Sequence, residues 1–173
     1  MEEKINIILI DHYQLFREGV KKILQTESSF HIVASSDHYS VILPLVSSQV
    51  VDVILIDVNI FIKFKDNIKR EILNKYPQIK VIVLSSEGEE NYVTEAVQLG
   101  IDGYLLKEMD IFIFIDAIKS VYEGLSYIHP ILTDRLIHDY RRRMDLDLFE
   151  QVERPAHFYT KREYEVLQLL TEG

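Results

Sequence analysis

The chain has 173 residues, 47% hydrophobic and 27% charged, which supplies enough apolar side chain for a buried core and excludes global disorder. It contains no cysteine, so disulfide frameworks, thiolate metal sites and cysteine nucleophiles are all excluded. A net charge of −9 argues against a chain whose whole surface seeks nucleic acid, and neither a membrane-length apolar run nor a signal-peptide pattern is present, so the expected setting is the cytoplasm with no membrane partner.

Residues 1–125 alternate short β-branched apolar runs with longer amphipathic stretches. Strands are predicted at 5–10, 31–35, 53–56, 80–84 and 103–106, and helices at 14–26, 38–48, 66–76, 90–99 and 111–123. Pro77 closes the third helix, and Gly100 and Gly103 bracket the turn after the fourth. The first and third strands are almost continuously apolar, as parallel strands covered on both faces should be. The expectation is an α/β, doubly wound, flavodoxin-like (βα)5 domain with a parallel five-stranded sheet of order 2-1-3-4-5.

Beyond residue 125 the texture changes. A helix is predicted over 130–144, entered through Pro130 and ending in Arg141, Arg142 and Arg143, cations that suit either a helix C-terminus or DNA phosphates, the former being favoured. Residues 145–159, with mixed charge and Pro155, read as a linker. Thr160 and Glu163 then form a capping box that opens an amphipathic helix through Val166, Leu167, Leu169 and Leu170. The predicted organisation is a domain over 1–125, a helical linker over 126–159 and the opening of another domain over 160–173.

Four polar residues directly follow predicted strands: Asp11, Asp57, Ser85 and Lys107. In an open parallel sheet these strand ends line one crevice. Two carboxylates, a hydroxyl and an ammonium meeting there are equipment for phosphoryl transfer, with Asp57 as nucleophile and a hard cation such as Mg²⁺ on the carboxylates. Taken singly, each residue is as well explained as a turn former, a helix cap or a solvated lysine; four together are not.

Asp11 followed by Leu15-Phe16-Arg17-Glu18-Gly19, the aspartate ending Val53–Asp57, the serine ending 81–85 and the Gly-Tyr-Leu-Leu-Lys-Glu stretch from Gly103 resemble a response-regulator receiver of the NarL/FixJ class, nearest its DegU-like branch. The segment 160–173 is similar to the opening helix of a LuxR-type helix-turn-helix domain. The resemblance implies that Asp57 is the phosphoacceptor, Asp11 part of the acidic pocket, Asn59 a backbone-carbonyl metal ligand, Ser85 and Tyr104 the switch pair, and Lys107 the phosphoryl counter-ion. It further implies a sensor histidine kinase as phosphodonor, a homodimer, and promoter DNA as partner of a complete output domain, with no DNA-binding residue expected in this chain. The only chemistry implied is the receiver's own phosphorylation and dephosphorylation. Phosphorylation in such proteins remodels the surface that here corresponds to 90–99 and 103–106.

Two departures fall at the pocket. His12 stands where receivers carry a second acid, and imidazole is a poor Mg²⁺ ligand, so weak or absent Mg²⁺ binding is expected. His12 itself admits three readings: a loop histidine without chemistry, a neutral hydrogen-bonding substitute that stabilises the unphosphorylated pocket, or a transition-metal ligand beside Asp57, the last resting on a single histidine. The loop 58–65 lacks the family's proline and glycine, and an exposed Phe61 or Phe64 is expected to contact a partner or close over the pocket. These departures also support an alternative, a phosphorylation-independent pseudo-receiver acting through protein contacts. A flavodoxin-like enzyme is disfavoured by the lack of a glycine-rich phosphate loop after Ile10.

Overall fold

The computed structural model describes residues 4–86 and 92–152, and of 143–152 the backbone alone. Strands β1 (Ile5–Ile10), β2 (Phe30–Ser36), β3 (Val53–Asp57), β4 (Lys80–Ser85) and β5 (Gly103–Leu106) pair in parallel in the expected order 2-1-3-4-5. A further strand, β6 (Tyr127–Ile128), adds in parallel to β5, so the sheet has six strands rather than five. Its two residues are too few for a period-2 pattern. They satisfy the outer edge of β5 through Tyr127 N–H donating to Asp102 O and His129 N–H to Tyr104 O.

Alternate strand residues face two apolar cores. Ile8, Ile10, Ile54, Ile56, Val81 and Val83 belong to one, and Ile7, Leu9, Val53, Leu55, Ile82 and Leu84 to the other. Helices α1 (Gln14–Gln25) and α6 (Ile111–Tyr122) contribute to the second core, the former through Val20 and Leu24 and the latter through Phe114, Ile118 and Val121. Asp110 caps α6, its carboxylate accepting from Phe112 N–H and Ile113 N–H. A 3₁₀ turn, Tyr39–Val41, leads into α2 (Ile42–Ser48), where Pro44 lies in the first turn, the one place a helix tolerates it.

The region after β3 differs from expectation. Asp57 acts as N-cap and starts helix α3 (Val58–Lys63) at once. With no proline or glycine to interrupt it, the segment propagates as a helix instead of looping out. Phe61 is consequently fully buried, and Phe64 is half-buried and stacked on Tyr39 with ring centroids 4.6 Å apart. Neither is the exposed contact residue predicted. The regular helix expected over 66–76 is a short turn, α4 (Lys65–Asn67), followed by π-helical Ile68–Leu73, with Asn74 N–H donating to Lys69 O.

Helix α5 (Val93–Leu99) ends at Gly100, whose φ of 92° is the left-handed conformation that closes a helix most readily at glycine. Residues 90 and 91 of the predicted helix lie outside the described residues. Helix α7 (Pro130–Val152) runs past the predicted end at 144, because the following stretch contains good helix formers and no glycine or proline. Arg141 to Arg143 are therefore internal to the helix and do not cap its C-terminus. Residues 153–159 and the capping box at Thr160 lie outside the described residues. The chain divides into two compact units, Met1–Asp134 and Arg135–Gly173. The first holds the sheet, and Leu132, 1% exposed, joins its core from the first turn of α7. Among the described residues, no helix is long and apolar enough to cross a membrane.

Candidate functional site

Asp11 leaves β1 and Asp57 ends β3, strands that pair directly through Ile10 and Ile56, so both carboxylates arrive at the same sheet edge. Both side chains are fully buried. Lys107 follows β5 and is fastened to the next strand by its N–H donating to Ser85 O at 2.8 Å. Its Nζ lies 2.6 Å from Asp57 Oδ2 and 2.7 Å from Asp11 Oδ2, so one ammonium bridges both acids.

Burial is the largest influence on Lys107 and by itself would lower its pKa. Hydrogen bonds to Asp11 and Asp57, with the charges behind them, outweigh it and leave the group raised above its ordinary value. The ammonium also lies 5.1 Å from the ring centroid of Tyr13 and 4.9 Å from that of Phe16. Tyr13 N–H donates to Asp11 Oδ1 at 2.7 Å, and the Arg17 guanidinium donates to Asp11 O. Tyr13, Phe16 and Arg17 carry no predicted role in the pocket. The signal for them is spacing: residues 13, 16 and 17 share one face of the entry to α1, the face turned toward the strand ends.

Asp57 is held on its other oxygen. Oδ1 accepts from Asn59 N–H at 3.0 Å and Ile60 N–H at 3.3 Å. His12 Nδ1 lies 3.2 Å from the same oxygen, on a side chain 40% exposed. Asp57 thus has Lys107 on one oxygen and His12 with two backbone donors on the other. Asn59 meets Asp57 through its backbone N–H.

Ser85, at the end of β4, is fully buried, and its Oγ has no hydrogen-bond partner among the described residues. An unsatisfied buried hydroxyl is costly in a closed core and useful beside a ligand. Tyr104, on β5 in register with Val83, is fully buried within the first core. The structure therefore joins Asp11 and Asp57 through Lys107 and sets His12 against Asp57, with Ser85 on the adjoining strand end and Tyr104 in the core.

Residues 7–119 match the response regulator receiver domain family. The chain belongs to the response regulators. It is 44% identical to the transcriptional regulatory protein DegU of Brevibacillus brevis, over 99% of this chain and 77% of that protein. It is 26% identical to the transcriptional regulatory protein LnrK of Bacillus subtilis strain 168, over 98% of this chain and 78% of that protein. Among solved structures, a LuxR family DNA-binding response regulator from Silicibacter pomeroyi superposes with a TM-score of 0.60 at 26% identity, over 73% of this chain and 97% of the other. The non-phosphorylated receiver of RcsB from Escherichia coli shares the fold, with a TM-score of 0.64 at 18% identity over 73% of this chain and 99% of that one.

Receivers generally bind Mg²⁺ at their acidic pocket, and Asp11, His12 and Asp57 form the corresponding cluster here. Mg²⁺ requires six oxygen ligands in near-octahedral array. The side chains supply two carboxylates and, beside Asp57 Oδ1, an imidazole nitrogen. Mg²⁺ commonly takes one or two carboxylates and completes its shell with water, so this set can hold it, but more weakly than a pocket with an acid in place of the imidazole.

Proposed function

We propose that this protein is a two-component response regulator of the LuxR/NarL type, a transcriptional regulator whose receiver accepts a phosphoryl group on Asp57 from a sensor histidine kinase and thereby controls dimerisation and DNA binding. The observation that carries the reading is the Asp57 carboxylate itself, fully buried, yet fixed by Lys107 at 2.6 Å and by two backbone N–H donors. In the proposed step an Asp57 oxygen forms a bond to phosphorus as the phosphorus–nitrogen bond of the donor phosphohistidine breaks, the electron pair leaving with the imidazole. Lys107 offsets the charge added to the aspartate. Ser85 Oγ, without a partner among the described residues, donates to a phosphoryl oxygen, and Tyr104 adjusts in the space that this movement changes. Residues 1–125 act as the receiver, 126–159 as the connection, beginning with the added strand β6, and 160–173 as the opening of the output domain, all in the cytoplasm.

The His12 pocket weakens Mg²⁺-dependent phosphorylation. A second reading, a pseudo-receiver acting through protein contacts alone, is favoured by one observation: Lys107 pairs with both carboxylates at 2.6 and 2.7 Å, so one of the two buried negative charges is already offset by the protein itself. Intact mass after incubation with a small-molecule phosphodonor, across a Mg²⁺ titration, separates the two. A single phosphoryl adduct lost in Asp57→Asn is expected of the receiver, with a lower Mg²⁺ midpoint in His12→Asp. No adduct in the parent at any concentration of Mg²⁺ or of another divalent cation rejects it in favour of the pseudo-receiver.

A further inference from the structure

Replacing an acid by histidine at this pocket changes which metal it can hold and does not merely remove a ligand. We propose that Asp11, His12 and Asp57 form a site for an imidazole-accepting first-row divalent cation of the Zn²⁺ and Co²⁺ class, selective against Mg²⁺. The inference deepens the receiver reading, on which its consequence for phosphoryl transfer rests; the binding itself stands or falls separately.

Three observations support it. Donor atoms of the three residues all lie within 4.8 Å of one another. His12 Nδ1 and Asp57 Oδ1 are 3.2 Å apart. This direct contact sets the imidazole at the carboxylate, and two donors each about 2.1 Å from one ion lie roughly 3.0–3.4 Å apart, so little movement separates the contact from shared ligation. The carboxylates are also held from outside: Tyr13 N–H on Asp11 Oδ1, and Asn59 and Ile60 N–H on Asp57 Oδ1, the kind of support that fixes metal ligands in place.

Lys107 takes Oδ2 of each acid, whereas the Asp57 oxygen facing His12 is Oδ1. A carboxylate has about four lone-pair sites; Asp57 uses two for Asn59 and Ile60 N–H and one for Lys107, and Asp11 one for Tyr13 N–H and one for Lys107, so each acid keeps capacity for an ion beside the ammonium. His12 is 40% exposed while both acids are fully buried, so the cluster is reached from solvent on its imidazole side. Imidazole with carboxylate suits Co²⁺ and Zn²⁺, whereas Mg²⁺ prefers oxygen throughout and binds a mixed set weakly.

The test uses the full chain without phosphodonor. Co²⁺ binding is followed by its visible d–d absorption, and Zn²⁺ and Mg²⁺ are compared by displacement and calorimetry, in the parent and in His12→Ala, His12→Asp and Asp57→Asn. Displacement by Zn²⁺ at concentrations about a hundredfold below those of Mg²⁺ is expected, because imidazole suits Zn²⁺ whereas Mg²⁺ favours oxygen ligands. His12→Ala should lower Zn²⁺ affinity by about tenfold or more, and His12→Asp should move preference toward Mg²⁺. Because His12 is a half-exposed loop residue, these variants leave the core untouched. Zn²⁺ affinity unchanged in His12→Ala, no Zn²⁺ binding, or equal affinity for Mg²⁺ overturns the proposal. A His12-dependent Zn²⁺ site with no phosphoryl adduct under any metal would retain the site and reject the receiver reading; an adduct with no such site would do the reverse.

Discussion

Lys107 is the residue on which the pocket's electrostatics turn. It is a cation 6% exposed between two carboxylates that are fully buried, and removing one partner of such a group leaves uncompensated charge out of water. Lys107→Met is expected to lower unfolding free energy by about 3–5 kcal/mol in urea titration. Adding Asp11→Asn should recover part of that loss, because only one buried negative charge then remains, and a gain of nothing would show that packing, not charge, was lost. Tyr39 provides a second residue-scale test. Burial, with the Glu71 charge adding to it, raises its pKa to about 12. A raised folded value means that stability is intact below the ordinary tyrosine range and falls as pH rises from about 10 through about 12. Lys107, also raised, contributes in the same direction at alkaline pH. Thermal unfolding between pH 9 and 11.5 should decline for the parent and decline less steeply for Tyr39→Phe.

At the scale of elements, the change that matters is a helix where a loop was expected. Asp57 is both the proposed phosphoacceptor and the N-cap of α3, accepting from Asn59 and Ile60 N–H. Asparagine keeps a cap oxygen while alanine does not, so Asp57→Ala is expected to be less stable than Asp57→Asn by about 1 kcal/mol. Equal urea midpoints for the two would mean that α3 does not depend on this cap. The same cap ties Asp57 to the core: it starts α3, and α3 buries Phe61 in the core that also contains Tyr104. Gly100 sets another element boundary. Its φ of 92° disfavours any side chain, so Gly100→Ala should cost about 1–2 kcal/mol although nothing lies within 4 Å of the added carbon.

For the molecule as a whole, the sheet-bearing unit does not stop with the fifth helix-strand repeat. β6 closes the edge of β5, and Leu132 on the next turn is 1% exposed in the core shared by Ile56 and Tyr104. Leu132→Ala is expected to cost about 2–5 kcal/mol, whereas Ile131→Ala, at a side chain 69% exposed, should stay within about 0.5 kcal/mol. Similar unfolding curves for both would place the end of the cooperative unit before α7.

The five-strand alternation, the parallel order and the meeting of Asp11, Asp57 and Lys107 at the strand ends were legible in the sequence. Periodicity marks buried strands, and parallel topology brings their carboxyl ends to one edge whatever the side chains do. His12 was also visible as an imidazole where an acid is usual. What only the tertiary structure decided depends on partners distant in sequence: two residues of β6 become a strand because β5 offers an open edge, and Phe61 is buried because Asp57 caps a helix that carries it into the core. Lys107 spans both carboxylates because β1, β3 and β5 deliver them within reach of one ammonium. A linear pattern encodes which face of an element is apolar; the distances across strand ends, and hence the charge balance of the pocket, arise only once the sheet is assembled.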